Sequence, residues 1–376
     1  MSNKVIFIGP AYPYKGGIAA FNESMATTFQ ENGWDCKIYT FSEQYAFTSK
    51  DKLTTEDPRP NLTIKRGIYS INPLNWLKIS KEIVKEQPKL IVTQYWMPYL
   101  APAFGTIFRG VKKELPDVSI ATIVHSFKPH QSKIGDKQLN KFLTNRTDSL
   151  VCLSEGVQEE ILNSGTQQPV SRLFHPIYEH YGSPLPSSMA KEKLGWSKEK
   201  KHFLFFGEVK NYKGLDLLLS ALPTEDKYRQ NYKLHISGEF IESHKKHCKQ
   251  IEKLGLTDQV KITNAYIPND SVPHLFCAAD AIVTPYKNKT QSGIIPIALH
   301  FERPVIATTV GNLSTDLETH KLGLVSSPDS VALNANLKDF IDGNTVLSSN
   351  YTSIKEKLSW GTFYKAFLAA INVDAK

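Results

Sequence analysis

The sequence predicts an α/β protein with two doubly wound, Rossmann-like domains that face each other across a cleft. Short apolar strands alternate with amphipathic helices through about residue 175, the pattern of a parallel sheet covered by helices. The segment Pro176–Leu194 is rich in Pro, Gly, Ser and Tyr, and the alternation restarts after it. A length of 376 residues suits two domains. We therefore predict an N-terminal domain over 1–175 and a C-terminal domain over 176–358.

The composition is that of a globular protein with a basic surface. Hydrophobic residues make up 41% and charged residues 22%, values that exclude a disordered or fibrous chain. The formal net charge of +8 favours an anionic partner. Nucleic acid is the weaker candidate, because the chain has no clustered Arg/Lys run with interleaved aromatics and no zinc-finger spacing. A phosphorylated ligand or an anionic membrane surface fits better.

The cysteines and the N-terminal residues bear on the cellular compartment. The four cysteines are isolated, with no CxxC pair or metal-type spacing, so we expect reduced thiols. An apolar strand begins at Lys4, which leaves no room for a signal peptide, and no run approaches 18 apolar residues. We expect a cytoplasmic protein, and peripheral attachment to the inner face of the membrane stays open.

The N-terminal half opens with a βαβ unit whose first loop is rich in glycine. The strand Lys4–Gly9 leads to Gly16 and Gly17, a helix covers Ile18–Phe29, and the next strand is Cys36–Phe41. The two glycines are adjacent, so the loop lacks the GxGxxG spacing of nicotinamide-dependent oxidoreductases. The pair marks either a simple turn or a ligand loop.

A histidine follows one of the later strands of this half. The predicted strands are Leu90–Gln94, Ser119–Val124, Asp148–Leu153 and Val170–His175. His125 stands at the carboxyl end of its strand, where open α/β sheets bind ligands. A purely structural role for this histidine is the alternative.

A helix predicted over Asn72–Glu86 carries three lysines on one face. Lys78, Lys81 and Lys85 stand at positions i, i+3 and i+7. They form either a solvated face or a patch that contacts an anionic membrane.

In the C-terminal half, a lysine pair follows the first strand. The strand Phe203–Phe206 leads into a loop from Gly207 to Gly214, and this loop precedes a helix. Lys210 and Lys213 lie three residues apart beside the helix N-terminus, where two ammonium groups are unfavourable unless an anion lies between them. The loop is therefore either a phosphate site or a solvated turn.

A strand, loop, helix and strand over 281–309 form a second possible anion site. The predicted strands are Ala281–Pro285 and Val305–Thr309, and the loop ends at Gln291, Ser292 and Gly293. Free N–H groups and the helix dipole favour an anion at such a helix start. An ordinary helix cap is the alternative.

Together, an ordered set of motifs resembles the retaining glycosyltransferases of family 4, which have the GT-B fold. The similarity covers nearly the whole chain, from the glycine loop and the strand-end His125 onward. The motifs of the second half are FFGEVKNYKGLDLLLSAL, SGE, AYIPNDSVPHLFCAAD, VTPYKNKTQSGIIPIA and RPVIATTVGNL.

The resemblance implies roles for residues of both halves. Lys210 and Lys213 resemble the pair that binds the donor diphosphate, in the loop that begins at the donor-binding Gly207. Gly17 matches the acceptor-side glycine loop, and His125 matches the histidine near the transferred sugar.

It also implies where the rest of the donor lies. Gln291, Ser292 and Gly293 match the phosphate loop and the sugar-facing backbone, while Tyr266 and Ile267 would lie against the nucleotide base. The segment 359–376 resembles the helix that crosses back onto the first domain.

Three departures from the family pattern affect the sugar site. Many members carry two glutamates separated by seven residues, where this chain has Lys289 and Ile297. The usual arginine is replaced by Glu208. Glu239 and Asp316 are candidates for contacting the ribose and sugar hydroxyls. A subgroup with a TQSG loop shares these features, and the chain resembles it.

The resemblance implies a retaining, metal-independent hexosyltransferase with no cofactor. The donor would be a nucleotide sugar such as a UDP- or GDP-sugar, and the acceptor a glycan or lipid-linked saccharide in surface polysaccharide biosynthesis. No Asp-x-Asp motif occurs in the chain. The alternative is a catalytically silent GT-B protein that binds a nucleotide or glycan.

Overall fold

The computed structural model describes residues 3–45, 53, 61–128, 134–241, 243–287, 293–309 and 314–374. These residues form two compact units. The first unit comprises Met1–Phe174 together with Trp360–Lys376, and the second comprises His175–Ser359. Each unit is built around one parallel β-sheet.

The sheet of the first unit has seven strands in the order β3-β2-β1-β4-β5-β6-β7, all parallel. The order reverses between β1 and β4, which is the switch point of a doubly wound sheet. The strands are β1 (Lys4–Ile8), β2 (Asp35–Glu43), β3 (Thr63–Tyr69), β4 (Leu90–Tyr95), β5 (Ser119–Val124), β6 (Ser149–Cys152) and β7 (Val170–Arg172).

Helices cover both faces of this sheet because its central strands are apolar on both sides. All six residues of β4 are buried, as expected for a strand packed between two helix layers. Phe104 and Phe108 lie in the core on one face, and Phe21 and Phe29 lie in the core on the other. The helices are α1 (Gly17–Glu31), α2 (Pro73–Glu86), α3 (Ala101–Glu114), α4 (Asp136–Thr144) and α5 (Glu155–Leu162).

The second unit has a six-stranded parallel sheet in the order β10-β9-β8-β11-β12-β13, with the switch point between β8 and β11. Its strands are β8 (Lys201–Phe206), β9 (Tyr232–Ser237), β10 (Val260–Thr263), β11 (Ala281–Thr284), β12 (Val305–Thr308) and β13 (Gly323–Ser326). Its helices are α6 (Ser187–Leu194), α7 (Leu215–Ala221), α8 (Asp226–Arg229), α9 (Lys245–Lys253), α10 (Val272–Ala278), α11 (Ile294–His300), α12 (Ser314–Thr319), α13 (Ser330–Asp342) and α14 (Thr352–Lys357).

The last helix, α15 (Trp360–Ala370), belongs to the first unit. Its aromatic side chains pack against α1: the ring of Tyr364 lies 4.8 Å from that of Phe29, edge to face. Trp34 Nε1 also donates a hydrogen bond to the Tyr364 hydroxyl at 2.9 Å. Through these contacts α15 contributes to the hydrophobic core on the α1 face of the sheet.

The predicted fold class is confirmed: the chain is α/β with two parallel sheets of seven and six strands. Several elements differ from the sequence analysis. The edge strands β3 and β13 were not predicted, and the last strand of the first half ends at Arg172 instead of His175. The Pro-rich boundary segment contains the helix α6, which Lys191 ties to Asp280 through an ion pair of 2.8 Å.

Candidate functional site

In the second unit, the loop after β8 leaves the sheet at the switch point. Its first residue, Gly207, has φ +90° and donates its N–H to Ser237 O at 2.9 Å. A Cβ atom on Gly238 would lie 2.1 Å from Gly207 O, so the two backbones approach as closely as glycine allows. Open α/β sheets bind ligands here, outside the carboxyl ends of the strands at the switch point.

Lys213 is buried beside this glycine. The residue is 8% exposed, and its Nζ atom lies 3.3 Å from the position of a Cβ on Gly207. The pKa of Lys213 is lowered to about 8, chiefly by burial; nearby Glu208 opposes this decrease and Lys210 adds to it. No carboxylate of the described chain lies within ion-pair distance of this ammonium group. The structure therefore holds a cation in a place that disfavours its charge.

Lys210 has a different environment from Lys213. Its Nζ atom lies 2.9 Å from Glu208 Oε2, and both side chains are about 40% exposed, at 41% and 39%. The two lysines were expected to act as an equivalent pair. The structure distinguishes them, because one is exposed and already paired while the other is buried.

The neighbouring loops hold the β8 loop in place. Gly214 has φ +70°, and a Cβ there would lie 1.9 Å from Pro285 O. Lys287 N donates to Tyr212 O at 2.9 Å, and Lys287 Nζ contacts Asp216 Oδ2 at 2.6 Å. The loops after β8 and β11 are thus joined by backbone and side-chain contacts.

The start of α11 lies next to the same glycine. Ile294 Cδ1 is 3.4 Å from the Cβ position of Gly207. Gly293 precedes the helix and has no side-chain cap. Gln291 and Ser292 lie outside the described residues. The described part of the site therefore brings together Gly207, Lys213 and the α11 start.

Tyr178 and His175 support this helix start, and the sequence analysis did not identify them. His175 Nδ1 must donate to Pro176 O, 2.7 Å away, so its Nε2 accepts from the Tyr178 hydroxyl at 3.1 Å. Burial lowers the pKa of His175 to about 4 and raises that of Tyr178. The Tyr178 oxygen lies 3.2 Å from the Cβ position of Gly293, so a larger residue there would displace it.

The remaining donor candidates follow the next two strands. Glu239 follows β9, is half-buried, and its carbonyl accepts from Val209 N at 2.8 Å. Tyr266, 37% exposed, and the half-buried Ile267 follow the edge strand β10. Adjacent strands lie about 4.8 Å apart and β10 is two strands from β8, so Tyr266 and Ile267 lie roughly 10 Å from the β8 loop. Asp316 pairs with Lys357 at 2.6 Å.

In the first unit, His125 follows β5 and lies at the end of a buried polar chain. Asn22 Nδ2 donates to Pro10 O at 3.0 Å, so Asn22 Oδ1 accepts from Gln94 Nε2 at 3.2 Å. Gln94 Oε1 then faces His125 Nε2 at 2.7 Å, and the imidazole must donate from Nε2. Asn22 and Gln94 are fully buried. This chain fixes the ring and its tautomer.

Glycines permit that arrangement. A Cβ on Gly9 would lie 2.9 Å from Gln94 Cβ, so only glycine lets β1 and the Gln94 side chain approach this closely. Gly17 is the exposed first residue of α1, and Gly16 before it has φ +122°. Neither Asn22 nor Gln94 belongs to a motif, which is why the sequence analysis missed them.

The site of the second unit lies in a region of the chain that matches a family of known proteins. Residues 200–342 match the model of "Glycosyl transferases group 1". The "Putative teichuronic acid biosynthesis glycosyltransferase TuaC" of Bacillus subtilis is 22% identical over 352 residues, covering 88% of this chain and 87% of that protein.

Two solved structures share the fold. Sucrose-phosphate synthase from Thermosynechococcus elongatus has a TM-score of 0.72 at 16% identity, covering 98% of this chain and 100% of that one. Anabaena Alr3699/HepE in complex with UDP has a TM-score of 0.72 at 15% identity, covering 98% and 99%.

These findings support the resemblance to glycosyltransferases of group 1 with the GT-B fold. The matched region contains the β8 loop, Lys213 and the α11 start. Among the described helices, none is both long and apolar enough to cross a membrane.

Proposed function

We propose that this protein is a retaining glycosyltransferase that moves a sugar from a nucleoside-diphosphate donor to a glycan or lipid-linked acceptor. The observation that carries the proposal is the buried ammonium group of Lys213 at the switch point, 3.3 Å from the Cβ position of Gly207. A buried cation without a carboxylate partner costs free energy, and a bound anion would offset this cost. A donor diphosphate is such an anion, and Anabaena Alr3699/HepE, which shares the fold, was solved in complex with UDP.

The chemistry follows from that charge. Transfer breaks the bond between the sugar C1 and the diphosphate oxygen, and negative charge develops on this oxygen as the bond breaks. Lys213 stabilises the charge from a fixed position, and the N–H groups at the start of α11 add to it. The acceptor hydroxyl attacks C1 on the same face and gives its proton to the departing diphosphate.

The lysine also bears on metal dependence. We propose that Lys213, assisted by Lys210, supplies the positive charge that a divalent ion supplies in other transferases. For Lys210 to do so, its bond to Glu208 must open, because the two side chains are paired at 2.9 Å. Turnover that persists in excess EDTA would support this proposal, and full loss restored by Mg²⁺ would contradict it.

Other groups would position the substrates. In the second unit, we propose that Glu239, Tyr266 and Ile267, which follow the two strands beside β8, contact the nucleoside. In the first unit, His125, held by Gln94, would orient the sugar or the acceptor. The chain lacks the glutamate pair that many members of the family carry. One of the two positions holds Ile297, a buried apolar side chain that cannot act as a carboxylate.

The surrounding process is proposed from a relative. TuaC is named for teichuronic acid biosynthesis, and we propose a comparable role in surface polysaccharide biosynthesis. The exposed face of α2 supports peripheral attachment to an anionic membrane. Leu74 and Leu77 are 78% and 48% exposed there, beside Lys78, Lys81 and Lys85.

Thermal unfolding with UDP, GDP, ADP and dTDP, then with their sugars, tests the donor site. A nucleotide at about 100 times its dissociation constant should stabilise the fold by about 2.7 kcal/mol. The Lys213→Met variant should lose most of that shift. No shift with any nucleotide would contradict the proposal.

Product analysis separates the transferase from a silent binder. With the stabilising nucleotide sugar, we expect transfer or slow donor hydrolysis, and NMR should show that the released sugar keeps its anomeric configuration. Tight nucleotide binding with neither reaction would favour the catalytically silent alternative.

A further inference from the structure

A second basic site lies in the second unit, beside the donor loops and bordered by Lys287 of the β11 loop. Helices α7, α9 and the start of α13 line an open, solvent-accessible cavity of about 550 Å³, within the range of small-molecule sites. Eight of its nine lining residues are polar or charged: the lining consists of Asp216, Leu217, Ser220, Lys246, Lys249, Gln250, Lys253, Lys287 and Ser330.

The lining has a large excess of positive charge. Lys246, Lys249 and Lys253 stand at i, i+3 and i+7 of α9, so all three lie on one exposed face of the helix. Lys287 is paired with Asp216 at 2.6 Å. In the described parts of the chain, none of the three α9 lysines has an ion-pair partner. Three positive charges are therefore left uncompensated around one cavity.

The stability of α9 does not account for Lys246 and Lys249, whereas Lys253 lies in the last turn, where the helix dipole favours a cation. The first turn contains Lys245 and Lys246 and no acidic residue, although the helix dipole favours acidic residues there. Like charges at i and i+3 or i+4 are destabilising by about 0.2–0.5 kcal/mol per pair. A bound anion would remove both costs.

The neutral lining residues also suit an oxyanion. Gln250 Nε2 donates to Asp216 O and Ser220 Oγ, both at 2.9 Å, which leaves the Ser220 hydroxyl proton available. Ser330 adds a second hydroxyl. The described lining contains no aromatic side chain on which a nucleobase could stack. The chemistry favours a compact, multiply charged phosphate group over a nucleotide.

We propose that this cavity binds a diphosphate-type oxyanion at the α9 lysines, separately from the donor site. The same chemistry would recognise a soluble diphosphate or the headgroup of an anionic lipid. The inference does not depend on transferase activity, because it concerns different residues.

Calorimetric titration with sodium pyrophosphate tests the proposal. The full chain should carry Lys213→Met, so that the donor loop does not contribute. The test variant adds Lys246→Gln, Lys249→Gln and Lys253→Gln. The control instead adds Lys137→Gln, Lys141→Gln and Lys365→Gln, which removes the same charge from exposed positions of the first unit. All six lysines are exposed, so all proteins should fold.

We expect the α9 variant to bind pyrophosphate at least tenfold more weakly than its parent, and the first-unit control to match the parent. In 1 M NaCl the parent should also bind more weakly, because the Debye length falls to about 3 Å. Equal affinity of the parent and the α9 variant, or no binding by the parent, would overturn the proposal.

Vesicles distinguish the two sources. A lipid headgroup is indicated if the protein binds phosphatidylglycerol vesicles and the α9 substitutions weaken this binding at least tenfold. Pyrophosphate should then compete with the vesicles for the protein. Pyrophosphate binding that the α9 substitutions abolish, with unchanged vesicle binding, indicates a soluble diphosphate. Either result supports the site.

Discussion

The ammonium nitrogen of Lys213 lies 3.3 Å from the point where a Cβ atom on Gly207 would stand. Any side chain at position 207 therefore meets the one buried cation of the described donor loop. Because the nitrogen is the far end of a flexible side chain, the lysine can move aside. The cost of such a substitution should then fall on ligand binding more than on packing.

Replacing Gly207 by alanine tests this relationship. A residue with a Cβ at φ +90° is strained by roughly 1–2 kcal/mol, so the free energy of unfolding should fall by that amount. Gly182→Ala is a matched control, because Gly182 also has φ +90° but has no atom within 4 Å of its Cβ position. We expect similar thermal destabilisation of both variants and at least tenfold weaker nucleotide binding only in Gly207→Ala. Equal nucleotide affinity in the two would refute the contact's role.

Lys213→Met should make the protein more stable and less active. Burial lowers the pKa of Lys213 from 10.5 to about 8, so the charged form costs about 3 kcal/mol at pH 7. As the pH rises from about 8 to 10.5, the folded protein releases this proton while the unfolded chain still binds it, so the cost decreases and is lost near pH 10.5. Denaturant unfolding should therefore show a gain in stability at pH 7 that shrinks towards pH 10.5. Turnover should fall about 10²–10³-fold, and a variant that is stabilised yet fully active would exclude Lys213 from catalysis.

The polar chain that ends at His125 should matter for both folding and turnover. Gln94→Leu removes the partner of two groups at once, Asn22 and His125. Leaving buried polar groups unsatisfied costs about 1–3 kcal/mol, and the freed imidazole should reduce kcat by about tenfold. Thr93→Val is the control on the same strand, because the buried Thr93 hydroxyl has no hydrogen-bond partner. It should keep or raise the free energy of unfolding and leave kcat unchanged, and equal kcat values for the two variants would dismiss the positioning role of Gln94.

Acid should destabilise the second unit through its buried histidines. Burial lowers the pKa of His235 to about 3 and that of His175 to about 4. Each ring is neutral when folded and takes a proton on unfolding below pH 6.5, so stability is complete above 6.5 and falls as the pH decreases. Between pH 7 and 5 the loss should be about 1–2 kcal/mol per histidine.

Hydrogen exchange read by mass spectrometry can locate that loss. Peptides of 175–359 should exchange faster at pH 5 after correction for the intrinsic rate. His235→Gln keeps a donor towards His202 Nδ1, 2.9 Å away, and should reduce the pH dependence by one proton. Unchanged pH dependence in this variant would mean that His235 is not the titrating group.

Vesicle flotation tests the face of α2. Leu74→Ser with Leu77→Ser should weaken binding to phosphatidylglycerol vesicles at 0.1 M salt, because both leucines are exposed beside three lysines. Leu162→Ser is the control, since Leu162 is 56% exposed on α5 without such neighbours in sequence. Binding that survives the α2 substitutions would exclude this face as the attachment surface.

The central strands were predictable because burial on both faces makes them continuously apolar, as in LIVTQY of β4. The edge strand β3, TIKRGIY, has one buried residue and a register shift opposite Thr40 and Phe41, so its sequence lacks a clean alternation. β13 has four residues and only one is buried. Short edge strands obtain their structure from a neighbour, and that information lies outside their own sequence.

The same reasoning applies to the site. Gly207 and Lys213 were predictable because a strand, a glycine and a lysine next to a helix start form a local pattern. Asn22, Gln94 and Tyr178 have no such pattern, because their partners are distant in the sequence. The difference between the exposed Lys210 and the buried Lys213 also required the structure, since both are the same residue type in one loop.

The return of α15 to the first unit has a consequence for synthesis. The ribosome makes Trp360 and Tyr364 only after the whole second unit, so the α1 face with Phe21 and Phe29 emerges long before its cover. Exposed aromatic surface on a nascent chain promotes aggregation. All residues of the second unit are synthesised before Trp360. The second unit can therefore finish folding while the first unit still lacks α15. The nascent chain should therefore engage chaperones through its N-terminal half until α15 docks.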